Sequence, residues 1–162
     1  MRKLAIVLLL PAALALTGAA PAGAIEEMVE CRLSYADMRA TAATVPLAGQ
    51  DDESVAPDRK IYSFFGGPMP KPYGFAANSF GSTDMLDSGG ERYMIIATVA
   101  APFDQVRAAI LDAHGPDVCP LDPGGNRCMG RIRSDGEWMV AAVIAEYPGY
   151  VSIGCGYQRP RH

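Results

Sequence analysis

Four cysteines that follow an export leader constrain this chain more than any other feature. A positively charged start precedes an apolar run, Leu4–Leu16, and the small residues that end at Ala24 match the site that a signal peptidase cleaves. We therefore predict that residues 1–24 are a cleaved signal peptide and that residues 25–162 form a single exported domain, periplasmic or secreted. In such an oxidising compartment an even number of cysteines is typical of disulfide bonds.

The cysteines are Cys31, Cys119, Cys128 and Cys155, and two disulfides among them can be arranged in three ways. We predict the pair Cys119–Cys128 because turn-forming residues fill the short segment between them, so that its ends can meet. The pair Cys31–Cys155 then joins the start of the exported chain to its last predicted strand. In the chain-entropy model the short loop stabilises the fold by about 2.7 kcal/mol and the long loop by about 5 kcal/mol.

The charge balance excludes some classes of partner. The chain has a net charge of −4, which becomes −6 when the two basic residues of the leader are removed. Such a chain lacks the clustered lysines and arginines that nucleic acid requires, and no second apolar run is long enough to span a membrane. We expect no nucleic-acid partner, no stable membrane insertion, no cofactor and no metal. The expected partner is a protein or a small molecule of unknown identity.

The first half of the exported chain predicts one helix and two short strands. Apolar residues recur at steps of three and four over residues 26–45, which is typical of an amphipathic helix, and a proline ends it. Residues 47–60 are polar and predict a loop. Residues 61–65 and 75–80 predict short strands, and we expect turns over residues 81–90.

The second half has a clearer pattern. Residues 92–100 are apolar on both faces and predict a central strand, and Pro102 and Gly115 bound a second helix. Tight turns then separate three strands of an antiparallel meander, at 129–134, 137–147 and 150–157. The expected fold class is α+β: a small domain in which a mainly antiparallel sheet packs with two helices.

The segment between Cys119 and Cys128 is the most distinctive candidate for function. Its simplest interpretation is a stapled connection between a helix and a strand, which is what many disulfides in exported domains provide. The functional interpretation is a recognition loop, because a rigid loop loses little entropy on binding, and small secreted inhibitors present loops in this way. Asp122, Asn126 and Arg127 are then the residues that contact a partner. We predict an inhibitor-like binding or interaction module without catalytic residues.

Two other functions stay open. A small extracytoplasmic enzyme of unrecognised type would use His114 as a general base with Asp112 or Asp117, or carboxylates such as Glu146. The chain has only two histidines and no recognisable nucleophile motif, which favours a non-catalytic role, and His114 suits the dipole at the end of a predicted helix. A structural component of the cell envelope is the third hypothesis.

Metal-binding patterns are weak in this chain. The acidic run Asp51-Asp52-Glu53 lacks the spacing of a calcium loop and predicts a solvated loop. A zinc site that combines His114 with Cys119 and Cys128 needs thiolates, which an oxidising compartment disfavours. Methionines can bind copper, but we expect those of the exported chain to fill gaps in the core. They are Met28, Met38, Met69, Met85, Met94, Met129 and Met139.

Aromatic residues surround a proline-rich segment, Gly66–Gly74. We predict that this segment is a loop clamped over the sheet by its own aromatic side chains, and a partner-docking groove is the alternative. The aromatic residues are Tyr62, Phe64, Phe65, Tyr73 and Phe75. Trp138 alternates with Val140 on a predicted strand, and we expect it in the core or on the sheet surface rather than at a sugar-binding site.

Overall fold

The computed structural model describes residues 22–55, 58–87 and 90–160, with side chains except at 22, 52–55, 58, 59 and 87. The predicted leader core, Leu4–Leu16, lies outside these residues. The helices are α1 (Ala22–Val29), α2 (Tyr35–Ala42) and α3 (Phe103–His114), and a 3-10 turn spans Pro72–Gly74. The strands are β1 (Leu47–Val55), β2 (Asp58–Phe65), β3 (Ala77–Asp87), β4 (Gly90–Val99), β5 (Arg127–Asp135), β6 (Trp138–Tyr147) and β7 (Tyr150–Pro160).

Within the described residues, the strands form one antiparallel sheet in the order β1-β2-β3-β4-β7-β6-β5. α1 packs against β4 and β7, and α3 packs against β6 and β7. The predicted α+β class with a mainly antiparallel sheet is confirmed, although the described residues form seven strands and three α-helices where two helices were predicted. No helix in the described part of the chain is long and apolar enough to cross a membrane.

The sheet has a helix-covered face and an opposite face, which we call the open face. β4 lies at the centre of the sheet, as predicted, and its residues alternate between the two. Ile95 and Ala97 are fully buried under the helices, whereas Met94 and Ile96 lie on the open face and are partly exposed. On β7 the same alternation places Cys155 under the helices.

The prediction of one helix over residues 26–45 is wrong, because α1 and α2 are separate helices. Cys31, in the connection between them, has a φ of 59° and is disulfide-bonded to Cys155. Arg133 donates hydrogen bonds to the carbonyl oxygens of Cys31 and Leu33. These contacts hold the connection in a non-helical conformation that the side-chain pattern alone does not reveal.

The apolar stripe of that segment is nevertheless buried as predicted. The core includes Met28, Cys31, Met38, Ala42 and Val45. The predicted apolar side chains therefore enter one core in spite of the break between the two helices.

The predictions of a polar loop at 47–60 and of turns at 81–90 are wrong for the described residues of these segments, and positions 56, 57, 88 and 89 lie outside them. β1 and β2 form a hairpin across the first segment, and β3 continues through the second as far as Asp87. Their polar residues lack the apolar alternation that marks a strand in the sequence. Hydrogen bonds to neighbouring strands, such as those along the β3–β4 ladder, hold these residues extended.

The predictions for the second half are confirmed. β5, β6 and β7 form the expected meander, and α3 ends at His114 immediately before Gly115. Both predicted disulfides are present, with Cα–Cα distances of 5.0 Å in Cys31–Cys155 and in Cys119–Cys128. The first disulfide ties the α1–α2 connection to β7, and the second closes the segment between α3 and β5.

Candidate functional site

The segment closed by Cys119–Cys128, which we call the cystine loop, folds as a small hairpin beside β5. Leu121 forms an antiparallel bridge with Cys128, and the backbone N–H of Asp122 donates to the carbonyl oxygen of Arg127 over 2.9 Å. Gly125 has a φ of 72°, which favours glycine at this turn. Both cysteines are buried, so the loop has a fixed base and an exposed tip.

The three predicted contact residues have different roles within this loop. Oδ1 of Asp122 accepts the backbone N–H groups of Asn126 and Arg127, each over 3.2 Å, so this carboxylate shapes the loop from inside. The side chains of Asn126 and Arg127 are exposed. The carbonyl oxygen of Asn126 accepts the N–H of Glu146 over 2.8 Å, which ties the loop to β6. The structure thus brings the three residues together but leaves two of them free to contact a partner.

An open groove of about 510 Å³ lies beside the cystine loop. Its walls carry large apolar side chains that are unusually exposed: Leu121 is 47% exposed, Met129 is 65% exposed and Tyr147 is 40% exposed. Asp122 and Arg127 place charged groups along its lining. A groove of this kind suits an apolar side chain or chain segment with a polar group next to it. Sequence reasoning found the loop but missed the groove, because its wall residues come from three separate segments.

The groove continues into an aromatic pair at the turn between β6 and β7. Tyr147 and Tyr150 stack with ring centroids 5.1 Å apart and an interplanar angle of 16°. Each ring is 40% exposed. Tyrosines that combine a wide apolar surface with a hydroxyl group are common at protein interfaces.

The histidine proposed as a general base lies elsewhere, where α3 meets the 3-10 turn. Nε2 of His114 lies 3.0 Å from the hydroxyl of Tyr73. Burial lowers the pKa of His114, and a backbone hydrogen bond with Glu30 opposes that shift to a smaller extent. The groups that act on His114 are Tyr73, Glu30, Arg32 and Arg133. Asp112 and Asp117, the predicted partners of His114, are both exposed.

Glu30 connects this histidine to the proline-rich segment. Its Oε1 accepts the backbone N–H of Tyr73 over 2.6 Å, and its Oε2 lies 2.7 Å from Nε of Arg32. Burial, followed by the charge of Glu30, raises the pKa of Tyr73. A left-handed backbone at Tyr73, with a φ of 52°, turns the segment at this point. The sequence did not predict the contacts among Glu30, Tyr73 and His114, because Glu30 and Tyr73 are 43 positions apart in the chain and meet only at this turn.

The proline-rich segment is anchored by α1 as well as by aromatic side chains. Glu26 accepts the backbone N–H of Lys71 over 2.9 Å, which adds to the bond between Glu30 and Tyr73. Tyr73 and Phe75 pack against the core, and within it the ring centroids of Phe65 and Phe80 lie 5.2 Å apart with the rings tilted by 44°. Phe64 instead lies on the open face and is 48% exposed. The predicted aromatics therefore separate onto the two faces of the sheet.

Two other features that the sequence singled out are Trp138 and the acidic run at 51–53. Trp138 stacks on Tyr35, with ring centroids 3.6 Å apart, and the guanidinium of Arg159 lies 5.2 Å from its ring centroid. Asp51 is exposed on β1, while the side chains of Asp52 and Glu53 lie outside the described residues. In the part of the chain that the structure describes, no group of three His, Cys, Asp or Glu side chains is placed to hold a metal ion.

Glu146, the last residue considered for catalysis, is exposed near the end of β6. Its backbone binds the cystine loop, as described above.

Comparison with known proteins gives no match: no family model, no curated protein and no solved structure is significantly similar to this chain.

Proposed function

We propose that this protein is an exported binding module that holds a partner against the cystine loop and the groove beside it. The observation that carries the proposal is the exposure of Leu121 and Met129 on the walls of a groove whose rim is a covalently closed loop. Apolar side chains of this size are costly to leave in water, and contiguous exposed examples mark interaction sites.

The preformed loop lowers the entropic cost of such binding. A disulfide, the carboxylate of Asp122 and the bond between Asn126 and Glu146 each fix part of the loop before a partner arrives. Less conformational freedom then remains to be lost on association. Arg127, which is exposed at the edge of the groove, supplies a cation for an acidic or carbonyl group of the partner.

The proposed setting is the periplasm or the cell exterior. Two disulfides are compatible with an oxidising compartment, and the predicted leader would direct the chain there. Intact-mass measurement of the exported protein should give a chain that starts at Ile25 with all four cysteines oxidised. A chain that retains the leader, or that contains free thiols, would contradict this part of the proposal.

Site-specific photocrosslinking tests the groove directly. A photoreactive phenylalanine analogue replaces Leu121 in one variant and Leu86 in a control, since the two leucines are almost equally exposed at 47% and 46%. We expect a crosslinked partner from position 121 only, and we expect its yield to fall when Arg127→Glu is added. Absence of an adduct at position 121, or the same adducts at both positions, would show that the groove is not the recognition site.

A catalytic role at Tyr73 and His114 is the second candidate, and the 3.0 Å contact between their side chains favours it. Against it, Tyr73 donates its backbone N–H to Glu30 and its side chain packs on the core, which is typical of an anchoring contact. His114→Gln distinguishes the two functions. The binding function predicts unchanged photocrosslinking from position 121, whereas an enzyme that uses His114 would lose turnover in that variant.

A further inference from the structure

The open face of the sheet carries side chains from all seven strands in continuous rows. Strand register places one row across β5, β6, β7, β4, β3 and β2, and the next row beside it extends to β1. The first row is Met129, Val143, Gly154, Ile96, Gly81 and Phe64. The second row is Arg131, Ala141, Gly156, Met94, Thr83, Tyr62 and Asp51.

The middle of this face is apolar although it lies opposite the helices. An antiparallel sheet with one solvated face normally alternates apolar residues inward with polar residues outward. Here β4 presents Met94 and Ile96 to the open face, both partly exposed, and β2 presents Phe64, which is 48% exposed. Such a continuous apolar surface is typical of a buried interface.

The relief of the face varies from strand to strand. Large side chains lie on β2 and β4, whereas β7 carries Gly154 and Gly156 in the same rows and β3 carries Gly81 and Thr83. A Cβ atom at Gly154 would collide with the carbonyl oxygen of Ile95, and one at Gly81 would collide with that of Ser63, so these two positions cannot carry larger residues without displacing the backbone. Ridges and troughs of this kind can interdigitate with a second sheet about 10 Å away.

The two ends of the second row carry charges of opposite sign. Arg131 is exposed at the β5 end of the second row, and Asp51 is exposed at its β1 end. β4 is the central strand of the sheet. A two-fold axis parallel to the strands and passing over β4 places β5 of one copy opposite β1 of the other, so both ends pair Arg131 with Asp51. The same axis places Arg92 of β4 opposite Arg92 of the other copy in an outer row, whereas an axis across the strands would oppose Arg131 to Arg131 and Asp51 to Asp51.

The area is sufficient for a specific complex. With strands about 4.8 Å apart and alternate residues about 6.8 Å apart, four rows on seven strands cover roughly 600 Å² per copy. Two such faces bury roughly 1,200 Å² together, which lies at the lower end of specific interfaces. One outer row is polar on its inner strands, where it contains Thr98, Ser152 and Ser79. The other outer row is mixed and contains Lys60, Met85, Arg92, Gln158 and Met139.

We propose that two copies of this chain associate through their open faces, forming a two-sheet sandwich with helices on both outer sides. Met94 of each copy lies close to Met94 of the other at the two-fold axis. The interface shares Met129 and Val143 with the groove beside the cystine loop, whereas Leu121 lies outside the four rows, so a substitution at Leu121 affects the groove alone.

Sedimentation velocity on the mature protein measures the association, with Met94→Glu and Leu121→Glu as a matched pair. We expect a dimer at micromolar concentration. Two carboxylates beside the axis should raise the dimer dissociation constant by about 100-fold or more in Met94→Glu. Leu121→Glu should leave it unchanged, and circular dichroism should show both variants folded. A mature chain that stays monomeric up to several hundred micromolar, or a Met94→Glu protein that stays dimeric, would overturn the proposal.

Crosslinking with a short bismaleimide tests the geometry without depending on the stability of one variant. Met94→Cys should crosslink to itself, whereas Met129→Cys, on the outermost strand, should not.

Arg131→Asp should weaken the dimer by about 10-fold, and the added change Asp51→Arg should restore it. Self-crosslinking at position 129, or failure of the charge swap, would exclude this arrangement. Saturable binding of a fluorescent fatty acid to a monomer would identify a lipid as the occupant and refute self-association.

Discussion

The two faces of the sheet are built from the same strands but are stabilised by different parts of the molecule. On β4, Ile95 is fully buried beneath the helices, while its neighbour Ile96 lies on the open face. The helix-covered face is completed within one chain, by α1, α2, α3 and the disulfide at Cys155. The open face is also apolar at its centre, where Met94 and Ile96 lie, and in the proposed dimer a second molecule covers it. Apolar residues in a strand therefore indicate that the strand is buried, but they do not show whether helices of the same chain or a second molecule cover it.

The largest expected effect comes from the crosslink on the helix-covered face. Replacing Cys31 and Cys155 together by serine should lower the free energy of unfolding by about 5 kcal/mol, because the loop that they close is long. Replacing Cys119 and Cys128 should cost about 2.7 kcal/mol, because their loop is short. Urea unfolding of both variants measures the difference. An equal cost for the two pairs would show that loop length does not control it.

The adjacent isoleucines compare the two faces most directly. Ile95→Ala should destabilise the monomer by about 2–5 kcal/mol, because it leaves a cavity under the helices. Ile96→Ala should cost about 1 kcal/mol or less in the monomer, because its side chain is partly in water already. Urea unfolding at low protein concentration isolates the monomer. Equal costs would mean that the open face is covered within a single chain.

A smaller effect is expected at the cystine loop. Asp122→Ala should destabilise the protein by about 1–2 kcal/mol, since two backbone N–H groups lose their acceptor. Asp117 provides a control because it is an exposed aspartate two residues before Cys119, where the loop begins. Asp117→Ala should change the stability little. Thermal unfolding distinguishes the two variants. If Asp117→Ala were the more destabilising of the two, the assigned role of the Asp122 carboxylate would be incorrect.

The smallest expected effect is on how the stability of the protein changes with pH through His114. Burial lowers the pKa of His114, so the unfolded chain binds a proton more readily than the folded chain does. The stabilisation from neutral His114 is present above its unfolded pKa of about 6.5 and is lost as the pH falls through the lower folded value.

The melting temperature of the protein should therefore fall more steeply between pH 7 and pH 5 than that of a His114→Asn variant, which cannot titrate there. Differential scanning calorimetry at several pH values makes this comparison. Parallel curves for the two proteins would show that His114 does not contribute to the acid sensitivity.

The second half of the fold followed from local patterns. Asp135-Gly136 and Pro148-Gly149 identify turns within a few residues of their true positions, and Pro102 and Gly115 bound α3. Each of these signals arises from backbone preferences that act over two to four residues. The disulfide pairing also followed, because the short segment between Cys119 and Cys128 can close on itself and leaves one other pair.

The first half could not be predicted in this way. β1 and β3 contain polar residues whose extended conformation depends on ladders to β2 and β4, and no local pattern records those neighbours. The break at Cys31 likewise depends on Arg133, which lies 102 positions away. The groove beside the cystine loop was missed for the same reason, since Leu121 and Tyr147 meet only when β6 passes the loop.

The sequence by itself determined the crosslinks, the central strand, the meander and the buried stripe of α1 and α2, because turn chemistry and hydrophobic periodicity are local. Only the tertiary structure decided that the apolar residues of β4 divide between two faces, and that the helices cover one of them. That division depends on strand register and on the path of the α1–α2 connection. Both are fixed by long-range hydrogen bonds and by the bond between Cys31 and Cys155.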